Sequence, residues 1–261
     1  MNILRESFFI FDSISFAKQR SLKRRGIVNW DDLYINGKNH FSDKRWEGIE
    51  REVKICIENY KNKNLNFFKT FLDEKYHFLL LDDFSDYAIF LDIETTGIRE
   101  NNEITMIGIS DNHKRYRVFL KDINLNENNI GEILKRYPIV VTFFGKNFDI
   151  PFIRKNFPGL ADIIDSLINI DLYYLGKMVG FKGGLKRIEK QVGIFREREI
   201  DGMDGYDAVL LWKDYLNGNK DSMIKLIRYN RADVINLVDI SEYMLEIFYE
   251  MYIKNLRYPY P

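Results

Sequence analysis

Asp92 and Glu94 lie two residues apart at the end of the apolar run YAIFLDIE, residues 87–94. In a strand, side chains alternate between faces, so both carboxylates point to one side of a sheet. Thr95, Thr96 and Gly97 follow, and the glycine permits a sharp exit from the strand. Asp149 stands just past a second β-branched run, PIVVTFF (138–144), where a helix is predicted to begin. Strand ends of this kind converge at one edge of an α/β sheet. Tyr229 and Asp233 are four residues apart in a long helical pattern and therefore share a face. Carboxylates gathered this closely repel by ~4 kcal/mol per pair at about 4 Å and an effective dielectric near 20. Two divalent ions about 3.5–4 Å apart remove that repulsion and suit in-line attack on a phosphodiester. One ion lowers the pKa of a bound water; the other stabilises the leaving oxygen. Carboxylate oxygens are the donors that hard Mg2+ and Mn2+ prefer. Taken singly, each motif has a blander reading, either a solvated turn at a strand end or a surface hydrogen bond on a helix. His40, His77, His113 and the lone Cys56 are too few and scattered to assemble a typical zinc site, which wants about four nitrogen or sulfur ligands.

The elements that must position these residues follow from periodicity. Residues 1–85 read as a small helical, charged region. Ser15 to Arg25 predicts a short helix stopped by Gly26, and WDDL (30–33) opens another. Trp46, Ile49, Val53, Ile57 and Tyr60, at spacings of three and four, mark one face of a helix over 43–61. Residues 86–261 read first as strands and then as helices. YAIFLDIE, EITMIGIS, KRYRVFL and PIVVTFF are four strands, and IIDSLINIDLYY (163–174) holds a fifth. Helices are predicted over 127–136, 147–156 (with Pro151 in its first turn), 172–180, 184–192, 205–217 and 220–250. The order βββαβαβ followed by helices predicts an α/β domain with a mixed five-stranded central sheet flanked by helices.

Composition narrows the class. The 261 residues are 46% apolar and 15% aromatic, which describes a globular chain. Lys plus Arg equals Asp plus Glu at 39 each, so any nucleic-acid binding rests on local patches and not on net charge. No apolar run approaches the roughly 18 residues of a membrane span, and the first residues lack a basic segment followed by an apolar one. A single cysteine points to a reducing, cytoplasmic setting. Lys18, Arg20, Lys23, Arg24 and Arg25 place five cations within eight residues. They read as a solvated helix face or as phosphate contacts. Asp171 reads as the cap of the helix that follows it or as a residue assisting the acidic site, and Lys182-Gly183-Gly184 as a helix-start turn or as a turn whose free backbone N–H groups bind phosphate.

IFLDIETTG (89–97), FGKNFDIPFI (144–153) and YNRADVINL (229–237) resemble the three exonuclease motifs of the DEDD superfamily, and more specifically the YprB-like ribonuclease H-like family. The resemblance runs from about residue 86 to 245 and takes in GLKRIEKQVG (184–193) and GYDAVLLWKDYLNGN (205–219). It implies a ribonuclease H-like fold. It further implies 3′–5′ exonuclease action on single-stranded DNA or RNA ends, with two divalent ions, Mg2+ or Mn2+, held by Asp92, Glu94, Asp149 and Asp233. Tyr229 would orient the attacking water. The spacing fits the tyrosine subclass, since Arg228 stands where the histidine subclass carries its histidine. In similar exonucleases the stretch corresponding to Thr95, Thr96 and Ile98 touches the terminal nucleotide. Related sequences often carry asparagine in the loop before the second motif's aspartate, where this chain has Phe144 and Gly145. The segment 11–34 weakly resembles the helix-hairpin-helix-like start of YprB-like proteins, with Asp12-Ser13-Ile14-Ser15 in place of the glycine hairpin. Two other functions fit the same residues: a structure-specific endonuclease on this fold, and a nucleic-acid-binding module without activity.

Overall fold

Apolar residues at spacings of three and four make the first 84 residues helical. In the computed structural model, which describes residues 1–97 and 101–254, these residues form one compact unit together with the segment beginning at Leu245. Its helices are α1 (Phe16–Lys23), α2 (Trp30–Asn36), α3 (Asp43–Lys61), α4 (Leu65–Phe71) and α5 (Leu81–Phe84). Ser15 caps α1 by accepting from the Lys18 N–H, and an Asn29–Asp32 capping box opens α2. Trp46, Ile49, Val53 and Cys56 are the buried face of α3. Phe248 stacks edge-on against Phe78 at 4.8 Å between ring centroids, so the end of the chain completes this core.

The second unit, Ser85–Met244, holds the sheet. Its strands are β1 (Ala88–Thr95), β2 (Ile104–Asp111), β3 (Tyr116–Leu120), β4 (Ile139–Thr142) and β5 (Ile168–Asp171), in the spatial order β3-β2-β1-β4-β5. β1 pairs antiparallel with β2 and parallel with β4; β4 and β5 are parallel. The sheet is therefore mixed and five-stranded, as the pattern predicted. Its helices are α6 (Glu127–Arg136), α7 (Asp149–Asn156), α8 (Ala161–Ser166), α9 (Leu172–Met178), α10 (Leu185–Gln191), α11 (Gly205–Leu216) and α12 (Lys220–Phe248) up to Met244; the end of α12 from Leu245 and the π-helical turn that prolongs it at Tyr249–Ile253 belong to the first unit. The short helix α8 was not anticipated; it occupies the first half of the segment from which only a strand was expected.

Strand alternation splits the core in two. Ile89, Leu91 and Ile93 of β1 join Ile107, Ile109 and Val140 on the face covered by α6, α7 and α8. The even-numbered residues of β1 look the other way. On that side Met106 meets Trp212 of α11 and Leu226 and Tyr229 of α12. Asp92 and Glu94 are thereby aimed at α12, and the strand geometry alone accounts for it. No helix among the described residues is long and apolar enough to cross a membrane.

Candidate active site

At the end of β1, Asp92, Glu94 and Asp233 each place a carboxylate oxygen within 4.8 Å of the others'. Glu94 and Asp233 are buried and Asp92 is half-buried. Two residues come from one strand face and one from α12, the arrangement expected from period two in the strand and the inward face of the helix. A register shift between Glu94 and Thr95 breaks the regular pairing directly after the second carboxylate.

Asn230 was not anticipated, and it holds the two strand carboxylates of the trio. It is fully buried. Its Nδ2 donates to Asp92 Oδ2 at 2.9 Å and lies 3.5 Å from Glu94 Oε1, while its Oδ1 accepts from the Tyr116 hydroxyl at 2.8 Å. The carboxamide fits because Gly108, opposite Asp92 in β2, has no side chain. A Cβ at Gly108 would come within 1.8 Å of Asn230 Oδ1. A signal existed in the sequence: Asn230 is a polar residue standing in the apolar stripe of Met223, Leu226, Val234 and Leu237.

Asp149 is the first residue of α7 and is buried. Its Oδ1 accepts from the Ile93 N–H at 3.1 Å, which ties it to β1 between the two strand carboxylates. It borders the trio without sharing its close spacing, which is confined to oxygens of Asp92, Glu94 and Asp233.

Two cations meet the acids, and neither was anticipated. Arg196, on the irregular segment after α10, has a side chain only 2% exposed. It forks onto Glu189 at 2.7 and 2.6 Å and bonds Asp233 Oδ1. Asn236 also donates to Glu189, at 2.9 Å, so the guanidinium is braced from its far side. Lys186 of α10 donates to the Tyr229 hydroxyl at 2.6 Å and lies 4.7 Å from the centre of its ring. Lys186 lies in the GLKRIEKQVG stretch; Arg196 lies in no periodic pattern that could have flagged it.

The electrostatics are those of a site built for positive charge. Burial raises the Asp92 and Glu94 carboxyls well above the ordinary range, and the neighbouring carboxylates push in the same direction. Burial also raises Asp233, against which Arg196 pulls down. Asp149 is pushed up to about 7 by burial, opposed by its backbone N–H bonds and reinforced by Asp171 and Asp233. Burial and the carboxylates together drive the Tyr229 hydroxyl far up, so it remains a protonated donor. An all-oxygen, multiply acidic donor set of this kind fits Mg2+ or Mn2+.

Other sequence-predicted residues are placed as follows. The Thr95 hydroxyl donates to the Gly97 carbonyl at 2.7 Å, and the Thr96 hydroxyl accepts from the Glu103 N–H at 3.1 Å, so both hydroxyls serve the turn itself. Ile98 lies outside the described residues. Of the basic cluster, Lys18 donates to the His40 carbonyl and sits 4.6 Å from the Phe41 ring centre, and Lys23 pairs with Glu6 at 2.9 Å. Arg20, Arg24 and Arg25 are exposed. Asp171 caps α9 through the Tyr173 N–H, as expected, and in addition accepts from the Phe144 and Lys146 N–H groups.

Residues 89–245 match the model of the family RNase_H_2, described as RNase_H superfamily. Among solved structures, the chain is similar to the family B DNA polymerase from the hyperthermophilic archaeon Pyrobaculum calidifontis, with 16% identity and a TM-score of 0.50. That similarity covers 64% of this chain and 25% of the polymerase, so the chain spans about a quarter of the length of that protein. No curated protein matches the sequence. Family match and structural likeness agree on a ribonuclease H-like fold.

Proposed function

Since the chain belongs to the RNase_H_2 family of the RNase_H superfamily, we propose that it is a divalent-metal-dependent 3′–5′ exonuclease of the tyrosine subclass, acting on single-stranded DNA or RNA ends. The observation that carries this reading is the close trio of Asp92, Glu94 and Asp233, with Asp149 at its border and Tyr229 one helical turn before Asp233.

The four carboxylates would hold Mg2+ or Mn2+, Asp92, Glu94 and Asp233 as the close trio and Asp149 beside them. Such ions ionise a water and stabilise the leaving oxygen of a phosphodiester. The chain's own groups do the positioning. Asn230 fixes Asp92 and Glu94, Arg196 fixes Asp233, and the Ile93 N–H fixes Asp149. The Tyr229 oxygen accepts from Lys186, which leaves its own O–H to donate to the attacking water. A new bond forms from the water oxygen to phosphorus as the bond to the 3′ oxygen of the neighbouring nucleotide breaks. That oxygen takes up a proton, and the products are a nucleoside 5′-monophosphate and a strand one residue shorter.

The test uses 5′-labelled DNA and RNA oligonucleotides with Mg2+ or Mn2+, and with excess EDTA. A ladder of products shortened from the 3′ end, abolished by EDTA, is the expected result. Cleavage of a circular single strand would instead make the enzyme an endonuclease. Absence of any product from either substrate would leave a binding module.

A further inference from the structure

Five residues ahead of Asp149, Phe144 presents its ring to solvent at 45% exposure. Its backbone φ is +62°, a region that bulky side chains avoid unless their surroundings impose it. The imposing group is Asp171. This buried carboxylate accepts from the Phe144 N–H at 2.7 Å, the Lys146 N–H at 3.2 Å and the Tyr173 N–H at 3.0 Å. One side chain thus pins the loop after β4 to the start of α9. The rings that result stand together. Tyr173 lies edge-on to Phe144 at 5.1 Å between centroids, and Tyr174 lies edge-on to Tyr173 at 5.3 Å. Tyr174 is 45% exposed, and its hydroxyl accepts from Asn147 at 2.9 Å. Lys177 sits 5.2 Å from the Tyr173 ring centre and Lys146 6.0 Å from that of Tyr174. Among the described residues, neither Phe144 nor Tyr174 is part of the core cluster of Ile89 and Val140 or of that of Met106 and Tyr229. Folding gains little from an exposed ring held in an unfavourable backbone conformation, and such strain collects where ligands are clamped.

We propose that Phe144 and Tyr174, braced by Tyr173, form a platform on which unpaired nucleobases of the substrate strand stack, while Lys146 and Lys177 neutralise its phosphates. This rests on the nuclease reading above and names a subsite for it. Aromatic faces interleaved with cations are the chemistry of single-strand binding, indifferent to sequence because every base has a π-face. A duplex hides those faces in its own stack. Five residues of chain reach at most about 18 Å, so the Phe144 end of the platform lies within about five stacked nucleotides of Asp149.

The experiment compares binding of short fluorescent oligo(dT), oligo(rU), an abasic strand of equal length and a blunt hairpin, by anisotropy in Ca2+, to the full chain and to Phe144→Gly and Tyr174→Ser. Glycine adopts the positive φ freely, so the ring is removed without imposing strain. The full chain should prefer base-bearing strands to the abasic strand and the hairpin by about tenfold, and each variant should lose about tenfold on oligo(dT) or oligo(rU), the scale of one stacked base, with little change on the abasic strand. The DNA and RNA arms show which polymer the platform favours. Equal affinity of the full chain for abasic and base-bearing strands would overturn the proposal, as would variants that weaken both alike. Should Phe144→Gly fail to fold, Tyr174→Ser and the abasic comparison still decide. Base preference without a product ladder would keep the platform and discard the nuclease. A ladder without base preference would do the reverse, and failure to bind any strand would discard both.

Discussion

Gly108 lies opposite Asp92 across β1 and β2, and the space its missing side chain leaves is filled by the carboxamide of Asn230, whose Oδ1 would be 1.8 Å from a Cβ there. β1, its neighbour β2 and the long helix α12 thus meet through one glycine and one asparagine. Gly108→Ala should cost about 1–3 kcal/mol through overpacking and should displace Asn230 from Asp92 and Glu94. Asn230→Ala should keep the fold and lower turnover by about 10²-fold, the scale of one lost positioning donor. The double variant should recover part of the stability lost in Gly108→Ala, because the clashing group is gone. Denaturant titrations and single-turnover rates measure both effects, and normal turnover in Asn230→Ala would reduce this residue to packing.

The carboxylates make metal-free stability depend on pH. Asp149 has a folded value of about 7, against about 3.9 for an unfolded aspartate. Between those values the folded chain binds more protons than the unfolded one, so stability falls as pH rises. The contribution is fully present below about pH 4 and lost as pH passes about 7. Asp92, Glu94 and Asp233 are raised in the same sense. In EDTA the midpoint of thermal unfolding should therefore be lower at about pH 8 than at about pH 5, and Mg2+ or Mn2+ should restore it. Asp92→Asn should flatten the dependence by removing one repelling charge. A metal-free midpoint that rises across this range would contradict the assignment.

Arg196 and Glu189 form a buried pair, each side chain 2% exposed. Removing the arginine strands a buried carboxylate, so Arg196→Ala should cost about 3–5 kcal/mol. Glu189→Ala in the same chain should return part of that loss, and the two effects should be clearly non-additive in a double-mutant cycle. Additive losses would mean that the fork onto Glu189 does not set the arginine in place.

The basic helix α1 can be tested without shortening the chain. Deleting residues 1–80 would strip Phe248 of its partners Phe9 and Phe78 and so confound binding with misfolding. Arg20→Gln, Arg24→Gln and Arg25→Gln together leave that core intact. If these exposed arginines contact single-stranded substrate, the slope of log affinity against log salt should become shallower by up to about 2, near 0.7 per phosphate contact. An unchanged slope would leave α1 as a solvated face.

Much of this was legible because it is periodic. The alternation in β1 aimed Asp92 and Glu94 together, and the four-residue spacing put Tyr229 and Asp233 on one face, since both depend only on backbone geometry. The mixed sheet followed from the order of strands and helices. What stayed hidden depends on tertiary contact. Arg196 approaches Asp233 across thirty-seven positions of sequence from a segment without regular structure. The trio's exclusion of Asp149 from its close spacing is set by how α7 meets β1, which no motif records. Lys18 and Lys23 looked equivalent to their neighbours until the contacts with His40, Phe41 and Glu6 separated them.

Tyr229 and Lys186 should act as a pair. The Tyr229 oxygen accepts from the Lys186 ammonium at 2.6 Å, and its ring lies 5.5 Å from the Arg196 guanidinium carbon. The phenol is thereby held in orientation by groups that are not themselves carboxylate ligands. Its O–H is left to donate, and burial beside the acids keeps it protonated. Tyr229→Phe should lower single-turnover rate by about 10- to 100-fold, within the range ascribed to positioning one reacting group, and should leave Mn2+ affinity nearly unchanged. Asp233→Asn should be more severe and should weaken Mn2+ binding, because on the proposed function it removes a charge that holds the ion. Lys186→Met should resemble Tyr229→Phe in rate, and the double variant should be little worse than either, since both remove the same oriented hydroxyl. A packing role for the tyrosine predicts otherwise: phenylalanine fills the same space, so rate and stability would both survive. Single-turnover rates and Mn2+ titrations of the four variants, measured side by side, separate the two outcomes, and wild-type turnover in Tyr229→Phe would end the claim that this hydroxyl serves the chemistry.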